Sequence, residues 1–222
     1  MIEKTSNDDI LDTLFLLRKR FFNDEEALRA VAVLEKKVGN KGPKIENKNS
    51  EEGSFPLPDE ILEDGQSFAL FSDGACRGNP GPGAWGSLGQ DPSGLVLFEA
   101  SGVDLQTTNN RMELEGAIQG LVALKRYCYE SSLDLKVTSI YLYSDSKYVV
   151  DGMTRWVYSW KGRGWKKADK KEPENLEQWK ILDELVQEFY KVHFRWVKGH
   201  AGHPQNEKCD ELANQALDES GF

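Results

Sequence analysis

Four carboxylates stand out by position rather than by type. Asp73 follows the run FALFS, Glu113 lies in TTNNRMELEGA, Asp145 follows YLYS, and Asp210 lies in KGHAGHPQNEKCDELA. Side chains at strand ends and helix starts can meet at one cleft although they are distant along the chain. Hard divalent cations such as Mg²⁺ bind oxygen ligands gathered in this way. Two such ions about 3.5–4 Å apart can activate a water and stabilise the leaving oxygen of a phosphodiester. Crowding four anions is unfavourable unless cations neutralise them, so the group carries its own metal expectation. Any one of these residues alone is more simply a helix cap or a solvated turn residue. Four with these neighbours call for more than capping.

Two histidines follow in the loop GHAGHP. Among side chains, imidazole alone titrates unperturbed near neutral pH, and the glycine before His200 allows that residue to move. His200 is therefore the candidate for moving a proton. His203 precedes Pro204 and reads as a structural loop residue. His200, His203 and Cys209 do not make a zinc site, because no fourth ligand stands at a sensible spacing.

The elements that must position these groups begin near Ser67. Phe68–Phe71 reads as a strand, followed by the glycine- and proline-rich break GNPGPGAWG; Gly94–Ser101 reads as a further strand. Apolar residues recur at helical spacing from Asn110 through Leu124. Ser139–Tyr143 is a buried-strand pattern running into Asp145, and a helix starts at Tyr148. Helical spacing returns over Leu176–Tyr190, His193–Val197 is a last strand, and Asn206–Leu217 a last helix. Hairpin-like strands followed by strand–helix alternation imply an α/β domain: a mixed sheet flanked by helices.

The chain has 222 residues, with 28 Lys+Arg against 37 Asp+Glu and a formal net charge of −9. That length suffices for one ordinary domain with a real core and something extra. The acidic balance argues against diffuse attraction to nucleic acid or to an anionic membrane. One stretch reverses it. Trp156–Lys171, WVYSWKGRGWKKADKK, sets Lys161, Arg163, Lys166, Lys167, Lys170 and Lys171 against Asp169 alone. Trp156, Trp160 and Trp165 interleave with these cations. Flat aromatic faces and phosphate-neutralising lysines together suit a nucleic-acid grip, although some of the tryptophans would be expected in the core. Three scattered cysteines, Cys76, Cys128 and Cys209, fit packed thiols in a reducing compartment rather than a disulfide framework. The start lacks the basic and apolar regions of a secretory signal, and no apolar run is long enough to span a bilayer. The expectation is a cytoplasmic protein with no membrane partner.

Four stretches, SDGACRGNPGPGAWG, TTNNRMELEGAI, the segment from YSDSKYVVDG through KILDEL, and WVKGHAGHPQNEKCDELANQA, resemble bacterial type 1 ribonuclease H. The resemblance covers about residues 67–217, with the motifs in the family's order. It implies a ribonuclease H-like mixed five-stranded sheet flanked by helices. It also implies hydrolysis of the RNA strand of RNA/DNA hybrids by two Mg²⁺ ions, for which Mn²⁺ can substitute, leaving 5′-phosphate and 3′-hydroxyl ends. On that resemblance Asp73, Glu113, Asp145 and Asp210 are the metal ligands, and His200 is the mobile-loop histidine that shuttles a proton or helps product leave.

The same resemblance implies how a hybrid is read. Asn79, Asn109 and Asn110 fall near the minor groove, where amides suit the donor and acceptor character of the 2′-hydroxyl. Thr108 falls in a pocket for a DNA-strand phosphate, with Asn175 beside it. Trp156, Trp160, Trp165, Lys161, Lys166 and Lys167 belong to a basic protrusion that lines a channel for the DNA strand. Two positions depart from the family's pattern. Gln106 stands where many relatives carry Arg, which weakens the phosphate pocket. Lys147 stands where close relatives often have Gln, leaving open a phosphate contact or weakened metal binding. The alternative reading is a non-catalytic hybrid-binding protein on the same fold.

Residues 1–39 read as a small helical extension. Asn7-Asp8-Asp9 and Asn23-Asp24-Glu25-Glu26 are two helix starts, and Gly39 is a stop. The polar, Pro/Gly-punctuated residues 40–66 read as a linker, and 67–222 as the catalytic domain. Residues 1–66 together carry 10 Lys+Arg against 15 Asp+Glu, and the helix pair is amphipathic, which suits docking on the nuclease domain or on a protein partner better than binding phosphate. A monomer is expected.

Overall fold

The computed structural model describes Leu17, Ala30, Val31, Leu34, Lys44–Asn47 and residues 55–199 and 202–222. The chain divides into two compact units, Met1–Lys44 and Ile45–Phe222. In the first, Leu17, Ala30, Val31 and Leu34 are helical, and the rest of the expected helix pair lies outside the described residues.

The second unit is built on a mixed sheet. Its strands are β1 (Lys44–Asn47), β2 (Phe68–Cys76), β3 (Gly81–Gln90), β4 (Val96–Thr107), β5 (Ser139–Ser144) and β6 (Lys191–Trp196). The order across the sheet is β1-β4-β3-β2-β5-β6. β2, β3 and β4 form an antiparallel meander, whereas β2–β5 and β5–β6 are parallel. The five expected strands are present, and β1 adds a short edge strand. The helices are α1 (Asp59–Asp64), α2 (Asn109–Glu130), α3 (Lys147–Asp151), α4 (Val157–Lys161), α5 (Leu176–Val186) and α6 (Pro204–Glu219). A π-helical turn, Gly152–Trp156, joins α3 to α4.

Strand alternation explains how helices cover both faces. Leu70 and Ser72 lie under Gly120 and Gly116 of α2, while Ala69 and Phe71 join a buried cluster with Cys209 of α6. α2 starts cleanly because Thr108 caps it, its hydroxyl accepting from the Arg111 amide at 3.4 Å.

The linker reading of 40–66 needs correction. This segment contains β1 and α1, and from Phe55 onward it is packed against the domain. Ile61 is fully buried, and Phe55 and Leu57 flank it. One short apolar run among polar residues had no periodicity by which to betray this.

Candidate active site

β2 and β5 are neighbouring parallel strands, so their carboxyl ends emerge side by side. Asp73 lies within β2, not past its end, paired with Gly86 of β3. Asp145 directly follows β5. α2 brings Glu113 to them by close approach at Gly74: a Cβ there would collide with the Glu113 amide. Asp73, Glu113 and Asp145 consequently offer ligand oxygens all within 4.8 Å of one another.

Burial and crowding raise the proton affinity of two members of this triad. Burial, and then the nearby Asp145, push the Asp73 carboxyl up to about 8; the Gly74 amide, donating at 2.7 Å, opposes the rise, and Asp210 adds to it. Glu113 is pushed well up by burial and by the charges of Asp73 and Asp145. One of its oxygens accepts from Asn109 Nδ2 at 3.3 Å, while the other is buried with no hydrogen-bond partner. Three crowded carboxylates with an orphaned oxygen suit a hard cation. The site therefore fits the divalent metal expected from the sequence.

Asp210 stands outside the triad. Its helix α6 reaches the sheet because Gly86 leaves room for the Cys209 carbonyl, but Asn214 Nδ2 donates to the Asp210 carboxylate at 2.8 Å and holds it along its own helix. Its charge still acts on Asp73. His200 lies outside the described residues. His203 is the residue before α6, as a loop role requires.

Two of the amide residues, Asn79 and Asn109, lead to the triad. Asn79 precedes Pro80 through a cis peptide, and its Oδ1 accepts from the Asn109 amide at 3.4 Å. Asn109 in turn reaches Glu113, so a hydrogen-bonded path joins the glycine-rich loop to the carboxylates. Asn110 is exposed on the first turn of α2. Asn175 adopts a left-handed backbone and donates to the Tyr148 hydroxyl at 3.1 Å. Trp179 Nε1 donates to that hydroxyl as well, at 3.2 Å, which makes Tyr148 a hub that the sequence did not reveal.

The basic segment divides. Lys166 is exposed and Lys167 partly so, and Trp156 and Trp165 are half-buried. Trp160 is different: it is buried, with its ring 6.0 Å from that of Trp156 and 5.7 Å from that of Trp179. It packs into the aromatic cluster between those two rings. Lys161 is held by Asp183 at 2.7 Å. Missed altogether was Trp196, whose Nε1 donates to the Asp145 carbonyl at 2.9 Å while Lys147 Nζ sits 5.1 Å from its ring centroid.

A mixed sheet in this order, with one acidic residue within β2 and another just past the parallel strand β5, defines a class. The RNase H family model matches residues 65–218, and the chain belongs to that family of nucleases. The chain matches bacterial relatives closely. It is 53% identical over 154 residues to a ribonuclease H of Hydrogenovibrio crunogenus, covering 69% of this chain and 97% of the relative. It is 50% identical to a ribonuclease H of Bordetella pertussis, covering 70% of this chain and 92% of that one. Among solved structures, LC9-RNase H1, a type 1 RNase H, is similar at 33% identity and a TM-score of 0.58, covering 75% of each chain. LC11-RNase H1 in complex with an RNA/DNA hybrid is similar at 27% identity and a TM-score of 0.54, covering 69% of this chain and 99% of that one.

Proposed function

We propose that the protein hydrolyses the RNA strand of RNA/DNA hybrids with two divalent cations, leaving 5′-phosphate and 3′-hydroxyl ends. The observation that carries this is the carboxylate triad, two of its members buried, with its unpartnered Glu113 oxygen, set directly beside the Asn79–Asn109 amides. The hybrid bound to LC11-RNase H1 supports the choice of substrate.

Asp73, Glu113 and Asp145, with Asp210 beside them, would hold Mg²⁺ or Mn²⁺. Cations bound there would supply an activated water and charge stabilisation for the leaving oxygen. The protein's own groups do the rest. Asn79, Asn109 and Asn110 offer amides to 2′-hydroxyls, which only the RNA strand has. Thr108 and Asn175 contact a DNA-strand phosphate. Trp156 and Trp165 present faces to the DNA strand, while Lys166 and Lys167 neutralise its phosphates. His200 moves a proton at the leaving side or assists product release. The working form is a monomer in the cytoplasm, and the N-terminal extension docks on this domain or on a protein partner.

The test is a labelled hybrid incubated with Mg²⁺ or with EDTA, next to a DNA/DNA duplex. Metal-dependent cutting of the RNA strand alone is the expected result. Tight hybrid binding with no cutting would favour a binding protein on the same fold.

A further inference from the structure

The family match begins at residue 65, yet the ten residues before it hold on to the catalytic end of the domain. We propose that residues 55–64 form a strap that positions the metal-binding carboxylates, with Glu60 and Ile61 as positioning residues. This rests on the reading of the triad as a metal centre.

The strap makes three attachments. The Glu60 carboxylate accepts from the Tyr143 hydroxyl at 2.9 Å and from Arg195 Nε at 2.8 Å. Ile61, with no exposed surface, packs in one cluster with Phe71, Tyr143, Val197 and Cys209. The carbonyls of Phe55 and Pro56 accept from Gln90 Nε2 at 3.0 Å and Gln205 Nε2 at 2.6 Å, and the two glutamines bond each other at 3.0 Å.

Most of the residues that the strap holds lie close along the chain to an acidic residue of the site. Tyr143 lies two residues before Asp145. Phe71, stacked on Tyr143 with ring centroids 4.8 Å apart, lies two residues before Asp73. Cys209 directly precedes Asp210, and Gln205 sits in the first turn of the same helix. Val197 leads into Gly199, which lies so close to Asp145 that a Cβ there would collide with its carboxylate. Of the four acidic residues, Glu113 alone has no such link; α2 carries it from the opposite face. Packed side chains move as a unit, so removing the Ile61 side chain lets Tyr143, Val197 and Cys209 shift together. The carboxylates would then meet a cation less well placed. A ligand's outer supports set its orientation, and their loss costs about 10–100-fold in metal affinity or activity.

The experiment uses the full chain with Ile61→Ala, Glu60→Ala, the conservative Ile61→Val, and Leu62→Ala as a control at an exposed strap position. Folding at the assay temperature is checked by circular dichroism. Mn²⁺ affinity without substrate is measured by calorimetry, and kcat and KM on a labelled hybrid at saturating and limiting Mg²⁺. For Ile61→Ala, Mn²⁺ affinity and kcat are both expected to fall about tenfold with KM little changed. Glu60→Ala should show a smaller fall in the same direction, Ile61→Val should restore most of it, and Leu62→Ala should match the parent. If Ile61→Ala does not fold, Glu60→Ala decides. Lower melting temperatures with unchanged Mn²⁺ affinity and kcat would overturn the proposal, leaving a stabilising strap only. Should the parent bind Mn²⁺ yet cut no hybrid, a drop in Mn²⁺ affinity for Ile61→Ala still upholds the strap, and the hydrolysis reading alone fails.

Discussion

The carboxylate end of the sheet and the basic protrusion are both charged, and they are built in opposite ways. At the sheet end, Asp73 and Glu113 are 8% and 6% exposed, like charges crowd together, and an oxygen lacks a partner. In the protrusion, Arg163, Lys166, Lys170 and Lys171 are exposed, and the nearby Tyr158 is 83% exposed. Charges act strongly where water is excluded and weakly where it is not. The first region is thus suited to fixed chemistry, and the second to a grip that many sequences can share.

The sharpest test of that contrast is the loss of one crowded carboxylate. Asp73→Asn or Asp145→Asn keeps the shape and removes a ligand charge. Turnover on a hybrid is expected to fall by more than the roughly 100-fold typical of a ligand's outer supports. Circular dichroism should be unchanged, because without metal the substitution relieves repulsion. Full-rate cutting by either variant would break the assignment.

A pH series separates the regions next. In EDTA, the folded Asp73 ionises near pH 8, against 3.8 for its ordinary value. Between those limits the folded form holds the extra proton, so its stability falls as pH rises. Mg²⁺ takes the proton's place, so the gain in melting temperature on adding Mg²⁺ should be larger at about pH 9 than at about pH 5. An equal gain at both would place the bound ions away from Asp73.

How much of this was legible depends on the kind of signal each part carries. The triad was readable because Asp73, Glu113 and Asp145 sit in distinctive words, and the apolar runs of β2 and β5 are conventional. β3 was not readable: GPGAWGSLGQ looks like a break, since glycine ordinarily weakens a strand. Its small residues are there because helices press on both faces, as the Cys209 carbonyl does at Gly86. The strap escaped for the opposite reason, one buried isoleucine on a six-residue helix being too short for a period. Some of the tryptophans were expected in the core, and that Trp160 is one of them was not readable, because spacing cannot say which of several tryptophans turns inward.

The protrusion yields smaller effects. Replacing Lys166, Lys167, Lys170 and Lys171 with Ala is expected to raise KM about tenfold near physiological salt while kcat changes little. A plot of log KM against log salt should become shallower, because fewer phosphate counterions are released on binding. An unchanged KM would remove the protrusion from substrate binding and leave the amide residues as the sole grip.

Lys161 should give the smallest effect, and it tests whether the protrusion acts as one undivided positive surface. Its ammonium lies between both oxygens of Asp183, at 3.0 and 2.7 Å, with its side chain 41% exposed. A cation already neutralised by a carboxylate releases little on meeting a phosphate, so Lys161→Ala should alter KM less than about twofold and leave the salt slope alone. What it loses is a link between α4 and α5, a partly exposed pair worth at most about 1 kcal/mol. The change should therefore show in the melting curve rather than in the kinetics. A KM shift as large as that of the four-lysine variant would mean that Asp183 yields its partner to substrate, and the division between scaffold and grip would move to the far side of Lys161.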